Sequence, residues 1–145
     1  MQRWRSQRGA ALVEAAMVMP ILLLISAGIF EFGRAYQTWQ VLTNAAREGA
    51  RIAVLPNGAP GTAETRVRQY MQDGQLSKFA TAAVSVDRAV AITVNGASQT
   101  ASQVVIDYPF DFIVLQPVAQ LVVTGTTTGS SLTMRASALM RNEAQ

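Results

Sequence analysis

The stretch GAALVEAAMVMPILLLISAGIF, residues 9–30, decides how the rest of this chain is organised. It is apolar throughout except for one charged residue, Glu14. A helix rises about 1.5 Å per residue, so a helix of this length matches the roughly 30 Å hydrocarbon core of a bilayer. The pattern therefore predicts a transmembrane helix over residues 10–30.

The flanks of this stretch predict its orientation. Arg3, Arg5 and Arg8 precede it with no acidic residue among them. Because positively charged flanks are retained in the cytoplasm, we expect a cytoplasmic N-terminus and an exported domain over residues 31–145. No second stretch is long and apolar enough to cross back, so the protein is predicted to be a single-pass anchor.

Composition excludes several function classes. The net charge of +3 comes from 12 basic and 9 acidic residues, and the three leading arginines account for the whole excess, so we expect no nucleic-acid partner. The chain has no cysteine and no histidine, which removes thiolate chemistry, most zinc sites and serine–histidine catalysis. Asp107 and Asp111 would lie about 13 Å apart on a strand, too far for one metal ion. We expect no cofactor, no metal and no enzymatic activity.

Glu14 is the unusual residue of the apolar stretch. A carboxylate at the centre of a spanning helix costs about 2.5–3.5 kcal/mol, and less near the interface. One interpretation is a tolerated charge near the membrane surface. The other is a carboxylate that awaits a positive partner within the membrane. Cleavage after Gly9 would create that partner, because Ala10 would then carry a free α-ammonium about one helical turn away.

A secretory signal is the competing interpretation of this segment. The small residues at 26–28 resemble a weak cleavage site. However, the segment is long for the apolar core of a signal peptide, and it contains Glu14 and Pro20. Pro20 removes one helical hydrogen bond, so we expect a helix kink there.

The helix is predicted to continue past the membrane to about Leu55. Apolar residues recur at three- and four-residue spacing, which is the pattern of a helix with one apolar stripe. Small residues form a second face that we expect to seat the sheet of the domain. The stripe comprises Phe32, Ala35, Tyr36, Trp39, Leu42, Ala46 and Ala50, and the small face comprises Ala45, Ala46, Gly49, Ala50 and Ala53.

The remaining chain predicts a small α+β domain. A short helix is expected over residues 62–73, with Thr62 as its N-cap and Gly74 as a left-handed terminator. Alternating apolar residues predict strands at 84–94, 104–113 and 132–141, the first interrupted near Arg88, with a loop longer than a tight hairpin after residue 96. Pro109 indicates an edge position or a bulge. Residues 118–123 fit either a helical turn or a strand, and residues 125–131 a loop.

Charged residues on the helix continuation have two interpretations. Glu31 with Arg34, and Glu48 with Arg47 and Arg51, have the spacing of ion pairs on a solvated helix face. Alternatively, Arg47, Glu48 and Arg51 form a charged stripe that contacts a neighbouring subunit.

Three blocks of this sequence resemble the TadE-like family, the minor pilins or pseudopilins of the tight-adherence (Tad) pilus system. The first block is RGAALVE at residues 8–14, followed by Pro20 and by GIFEFGR at residues 28–34. The second is NAAREGAR at residues 44–51, and the third is ASALMRNE at residues 136–143. The first two blocks together are fairly specific, whereas the third alone is weak.

The resemblance implies a role in pilus assembly. It implies a leader over residues 1–9 that a prepilin peptidase removes between Gly9 and Ala10, with Glu14 engaged in assembly. Its implied partners are the membrane, the peptidase, other pilin or pseudopilin subunits and the Tad secretion machinery. Its implied location is the bacterial inner membrane, with a periplasmic domain and the option of entering the pilus. The alternative function is a membrane-tethered binding domain that uses the helix only as an anchor.

Overall fold

A computed structural model of the chain describes residues 3–56, 59–122 and 131–142. The chain divides into two compact units. One unit contains the chain up to Arg34 together with the segment that begins at Phe112, and the other contains Ala35–Asp111 and the C-terminal strand. The architecture is α+β, as predicted: a long N-terminal helix, an antiparallel sheet and short additional helices.

The first helix, α1, runs from Arg3 to Ala53. Its predicted continuation beyond the apolar stretch is confirmed. Pro20 lies inside it, and the kink expected there remains a prediction. The helix ends shortly before Pro56, whose missing N–H and fixed φ cannot extend it. The first half of the predicted apolar stripe, including Phe32 and Tyr36, is exposed, whereas Leu42 and the residues after it are buried.

The sheet has three antiparallel strands in the order β1-β2-β3. They are β1 (Ala83–Val94), β2 (Ala97–Phe110) and β3 (Leu132–Arg141), and they correspond to the three strands predicted from the sequence. The predicted interruption of β1 is a register shift between Asp87 and Val90. The Asp87 carboxylate accepts a hydrogen bond from the Ala89 N–H there, which stabilises the local turn of the backbone.

The connection between β1 and β2 corrects the sequence prediction. We expected a loop longer than a tight hairpin, but Val94 pairs with Ala97 and only Asn95 and Gly96 lie between them. Both residues have positive φ, 51° and 80°, as the twist-compatible two-residue hairpin turn requires. The polar run that suggested a loop belongs to the first half of β2, where side chains are largely exposed.

Pro109 lies in the central strand, yet at a position that behaves as an edge. The pairing of β1 with β2 starts at Ala83 opposite Asp107, so β1 does not reach Pro109. Pro109 pairs only with Thr133 of β3. The absence of a donor on proline therefore costs no ladder hydrogen bond on the β1 side.

The second helix, α2, spans Thr62–Asp73, the predicted range; the predicted N-cap is wrong, whereas Gly74 is the C-cap but is not left-handed. The N-cap is Gly61, whose φ of 83° favours glycine, rather than Thr62. Gly74 has an ordinary φ of −76°, and the left-handed residue is Gln75 with φ 59°. Gly74 instead serves close packing, because a Cβ there would lie 2.5 Å from Cγ1 of Val41.

The core of the second unit forms where α1, α2 and the sheet meet. Gly49 is enclosed by Val67 of α2 and Val104 of β2, so any side chain there would collide with Val67. The small face of α1 is fully or almost fully buried, which confirms its predicted role as a seat for the domain. The buried apolar residues of this core include Leu42, Ala45, Ala46, Ala50, Ala53, Val67, Met71, Val104 and Ile106.

The third helix, α3, spans Leu115–Val122 and resolves the ambiguous segment as helical. Its Pro117 falls in the first turn, where a missing N–H has no helical partner to lose. The predicted loop at 125–131 lies outside the described residues except for Ser131.

Candidate functional site

The N-terminal half of α1 exposes its apolar side chains. Side chains from Leu12 to Ile25 are exposed, several of them by more than half of their surface. By length and composition, α1 from Gly9 onward is the one helix in the described part of the chain that could cross a membrane. Apolar surface on this scale is rare on a solvated protein and is typical of a membrane or subunit interface.

The predicted cleavage and pairing residues lie at the start of this exposed helix. Gly9 has no atom within 4 Å of the position that a Cβ would take, and Glu14 is exposed. On a helix, Ala10 and Glu14 lie on the same face, separated by about 6 Å along the axis. Both residues are exposed in the described part of the chain.

Glu31 is the residue whose environment the sequence prediction missed. We expected a solvated ion pair with Arg34, but the Glu31 side chain is 0% exposed. Its Oε1 accepts hydrogen bonds from the backbone N–H groups of Ile113 at 2.7 Å and Val114 at 2.8 Å. Its Oε2 accepts one from Nη2 of Arg34 at 3.1 Å.

Glu31 therefore acts as a long-range cap. The two N–H groups lie directly before α3, where a helix has unpaired donors and a positive dipole end. A carboxylate satisfies both, and a sequence separation of 82 residues hides the contact from any local pattern. The position of Glu31 in the sequence is the feature that could have indicated this role. It is the first acidic residue after Glu14, and it lies between Phe30 and Phe32.

Glu48 is the centre of a charged cluster in the second unit. It pairs with Nε of Arg51 at 2.9 Å and with Nε of Arg66 on α2 at 3.2 Å. Hydrogen bonds from Arg51, and then from Arg66, outweigh the effect of burial and lower the pKa of Glu48 to about 2. Arg47 is exposed on the same helix. Glu48 thus has partners within its own chain, and Arg47 and Arg51 are the accessible members of the predicted contact.

Asp107, on β2, and Asp111, directly after β2, also form ion pairs with basic side chains. Arg135 on β3 forms two hydrogen bonds with Asp107, at 2.7 and 2.8 Å, and this lowers the pKa of that carboxyl. Asp111 forms an ion pair with Lys78. Within the described residues, no group of three or more potential ligands could hold a metal ion.

Asn142, directly after β3, forms hydrogen bonds with both other strands of the sheet. The side-chain amide of Asn142 donates to the carbonyl of Arg88, at the interruption of β1, at 3.0 Å. Its Oδ1 accepts from the Ser102 hydroxyl at 2.7 Å, and its N–H donates to Thr100. Asn142 thus satisfies a carbonyl at the point where the β1–β2 ladder is irregular.

The N-terminal half of α1, the buried Glu31 and the packed Gly49 fall within one continuous region. Residues 9–51 match the family model described as TadE-like protein. This segment therefore resembles TadE-like proteins. No curated protein and no solved structure matches the chain.

The TadE-like segment contains all the site residues predicted from the sequence. Gly9, Ala10, Glu14 and Pro20 belong to the first structural unit, and the charged residues from Arg47 to Arg51 belong to the second. The N-terminal helix is long and apolar enough to serve as an anchor in a membrane.

Proposed function

We propose that this protein is a minor pilin or pseudopilin that takes part in assembly of a Tad adhesion pilus. In this proposal it inserts into the inner membrane with residues 1–9 in the cytoplasm and its folded domain in the periplasm. A prepilin peptidase then cleaves between Gly9 and Ala10, and the apolar helix is retained. The protein acts as a structural subunit and not as an enzyme.

One observation carries the proposal: the TadE-like match begins at the predicted cleavage site and ends inside the folded domain. A helix that served only as an anchor would not require Gly9 and Glu14 at their spacing. It would also not require a continuation into the domain that packs against α2 and β2. The alternative, a tethered binding domain, accounts for neither feature.

Glu14 has a specific role in the proposed assembly step. After cleavage, the α-ammonium of Ala10 and the carboxylate of Glu14 carry opposite charges on an exposed helix face. In an apolar medium an unpaired charge is costly, so these groups favour pairing within one subunit or between neighbours. Such pairing would set the axial register of one apolar helix against the next.

The test is the N-terminal residue of the protein purified from cells with and without the prepilin peptidase, determined by mass spectrometry. We expect a start at Ala10 that depends on the peptidase. Gly9→Val should prevent this processing, whereas Gly33→Val on the same helix should not. An uncut Met1 in peptidase-positive cells, or a start beyond Gly28, would instead support a plain anchor or a secreted domain.

A further inference from the structure

A charge-free stretch of sequence begins beside the end of the predicted transmembrane stretch. Residues 112–134 contain no acidic or basic side chain. Within this segment Ile113 is 61% exposed and Val114 is 39% exposed, although both are large apolar residues.

Two contacts set the position of this segment along α1. The Glu31 carboxylate holds the N–H groups of Ile113 and Val114 at 2.7 and 2.8 Å. The rings of Phe32 and Phe112 meet edge to face, with their centres 6.3 Å apart. Residues 112–114 therefore lie at the level of residues 31 and 32, immediately after the apolar stretch ends.

The exposed side chains at this level are of the kind that favour a membrane interface. Phe30 and Phe32 are each 65% exposed, and aromatic residues concentrate where hydrocarbon meets headgroups. When a helix lies along a membrane surface, its apolar side chains are buried where the headgroups meet the acyl chains. In the proposed topology the bilayer surrounds α1 up to about residue 30. Exposed side chains held at the level of residue 31 would therefore lie in the outer surface of the bilayer.

We propose that residues 112–114 and the start of α3 form a second membrane contact, embedded in the outer surface of the bilayer that α1 crosses. Glu31 is a positioning residue for this contact. Its buried carboxylate caps α3 and ties it to the level at which α1 leaves the membrane. This inference rests on the membrane anchoring in the proposed function, but it is independent of peptidase cleavage and of pilus assembly.

The chain has no cysteine, so single cysteines can be introduced into the full protein and labelled with a nitroxide. The labelled protein is reconstituted in vesicles of phosphatidylcholine and phosphatidylglycerol. Collisions with oxygen, which concentrates in lipid, are compared with collisions with a water-soluble nickel chelate. Ile25→Cys, within the apolar stretch, is the lipid control, and Leu139→Cys, 50% exposed on β3, is the aqueous control.

We expect the label at Ile113→Cys to have an oxygen-to-chelate collision ratio several-fold above that at Leu139→Cys and below that at Ile25→Cys. Adding Glu31→Ala should shift the ratio at residue 113 toward the aqueous control. An unchanged ratio with Glu31→Ala would overturn the positioning role.

Two other results would overturn the membrane contact. An aqueous ratio at residue 113 with a lipid ratio at residue 25 would remove the contact and leave the anchor intact. A label at residue 113 that is shielded from both reagents, and freed when protein is diluted with lipid, would place a second copy of the chain there. An aqueous ratio at residue 25 would overturn the anchoring itself.

Discussion

The close packing of α1 against α2 and β2 depends on Gly49. It sits in the NAAREGAR block, where a helix pattern alone would tolerate alanine. Glycine at this position lets α2 and β2 approach the α1 backbone, with Val67 and Val104 directly against it. Glycine in a helix interior costs about 1 kcal/mol relative to alanine, and here that cost is offset by close packing.

Gly49→Ala should lower the free energy of unfolding by about 1–3 kcal/mol, because the new Cβ collides with Val67. Denaturant titrations in detergent micelles, followed by circular dichroism, would measure the change. Gly33→Ala is the matched control: a Cβ at Gly33 meets no atom within 4 Å, so helix propensity should make that variant neutral or more stable.

A double variant checks the cause. Combining Gly49→Ala with Val67→Ala removes the colliding methyl groups, so the pair should cost less than the sum of the two single variants. Additive costs would contradict a collision with Val67.

Glu48 makes stability dependent on pH. Its pKa is about 2 in the folded chain, against an ordinary value of 4.5. Because the folded pKa is the lower one, the stabilisation is fully present above the unfolded value and is lost as pH falls toward 2. In denaturant titrations from about pH 6 downward, the difference between wild type and Glu48→Gln should shrink as pH falls below about 4.5.

Salt provides an independent check on this cluster. The side chains of Arg51 and Arg66 are 60% and 40% exposed, so added salt should screen their attraction to Glu48.

The pH experiment has a clear contradicting outcome. If the difference in free energy of unfolding between wild type and Glu48→Gln persisted unchanged from neutral pH down to pH about 2, the pKa of Glu48 would not be lowered.

At the scale of elements, α3 depends on a side chain from a distant part of the chain. A helix of eight residues is too short to be stable on its own in water. The two residues that lead into it, Ile113 and Val114, donate their N–H groups to one oxygen of Glu31. The buried carboxylate is tolerated because three donors, including the Arg34 guanidinium, surround it.

Glu31→Ala should therefore loosen α3 specifically. Loss of hydrogen bonds to a charged group costs about 1–3 kcal/mol, which corresponds to roughly 10- to 100-fold faster amide exchange over residues 113–120. Hydrogen exchange measured by mass spectrometry should show no such change in β3. Glu64→Ala, in the first turn of α2, is the control, and equal acceleration of α3 in that variant would contradict the capping role.

At the scale of the whole molecule, function is proposed to depend on the exposed face of α1 rather than on an enclosed site. Glu14→Gln keeps the shape of the side chain and removes its charge. We expect normal insertion and normal cleavage, but reduced surface piliation, because the Ala10 ammonium loses its counter-charge. Carbonate extraction, N-terminal mass spectrometry and electron microscopy of sheared pili would measure the three steps.

Arg47 offers a matched comparison. It is an exposed charge of the same helix, in the unit that does not contain Glu14. Arg47→Gln should leave processing unchanged and alter piliation only if the charged stripe contacts another subunit.

Wild-type piliation in the Glu14→Gln strain would contradict the proposed pairing of Glu14 with the Ala10 ammonium.

The long helix, its apolar first half and the alternating strands of the sheet could be predicted from local sequence alone. These follow from local periodicity, which hydrophobic burial imposes on every helix and strand. The TadE-like motif and the turn at Asn95 were also readable locally, although the length of that turn was misjudged. A two-residue hairpin differs from a longer loop only through pairing partners, which a polar run of sequence does not specify.

The roles of Glu31, Gly49, Gly74 and Asn142 are visible in the folded chain and not in the local sequence pattern. Each depends on a group that is distant in sequence: the N–H groups before α3, Val67, Val41 and the carbonyl of Arg88. The local sequence pattern predicts a solvated face for Glu31, because it includes the charge of this residue but not the distant N–H groups that donate to it. Long-range contacts of this kind arise from packing, and packing is a property of the folded chain as a whole.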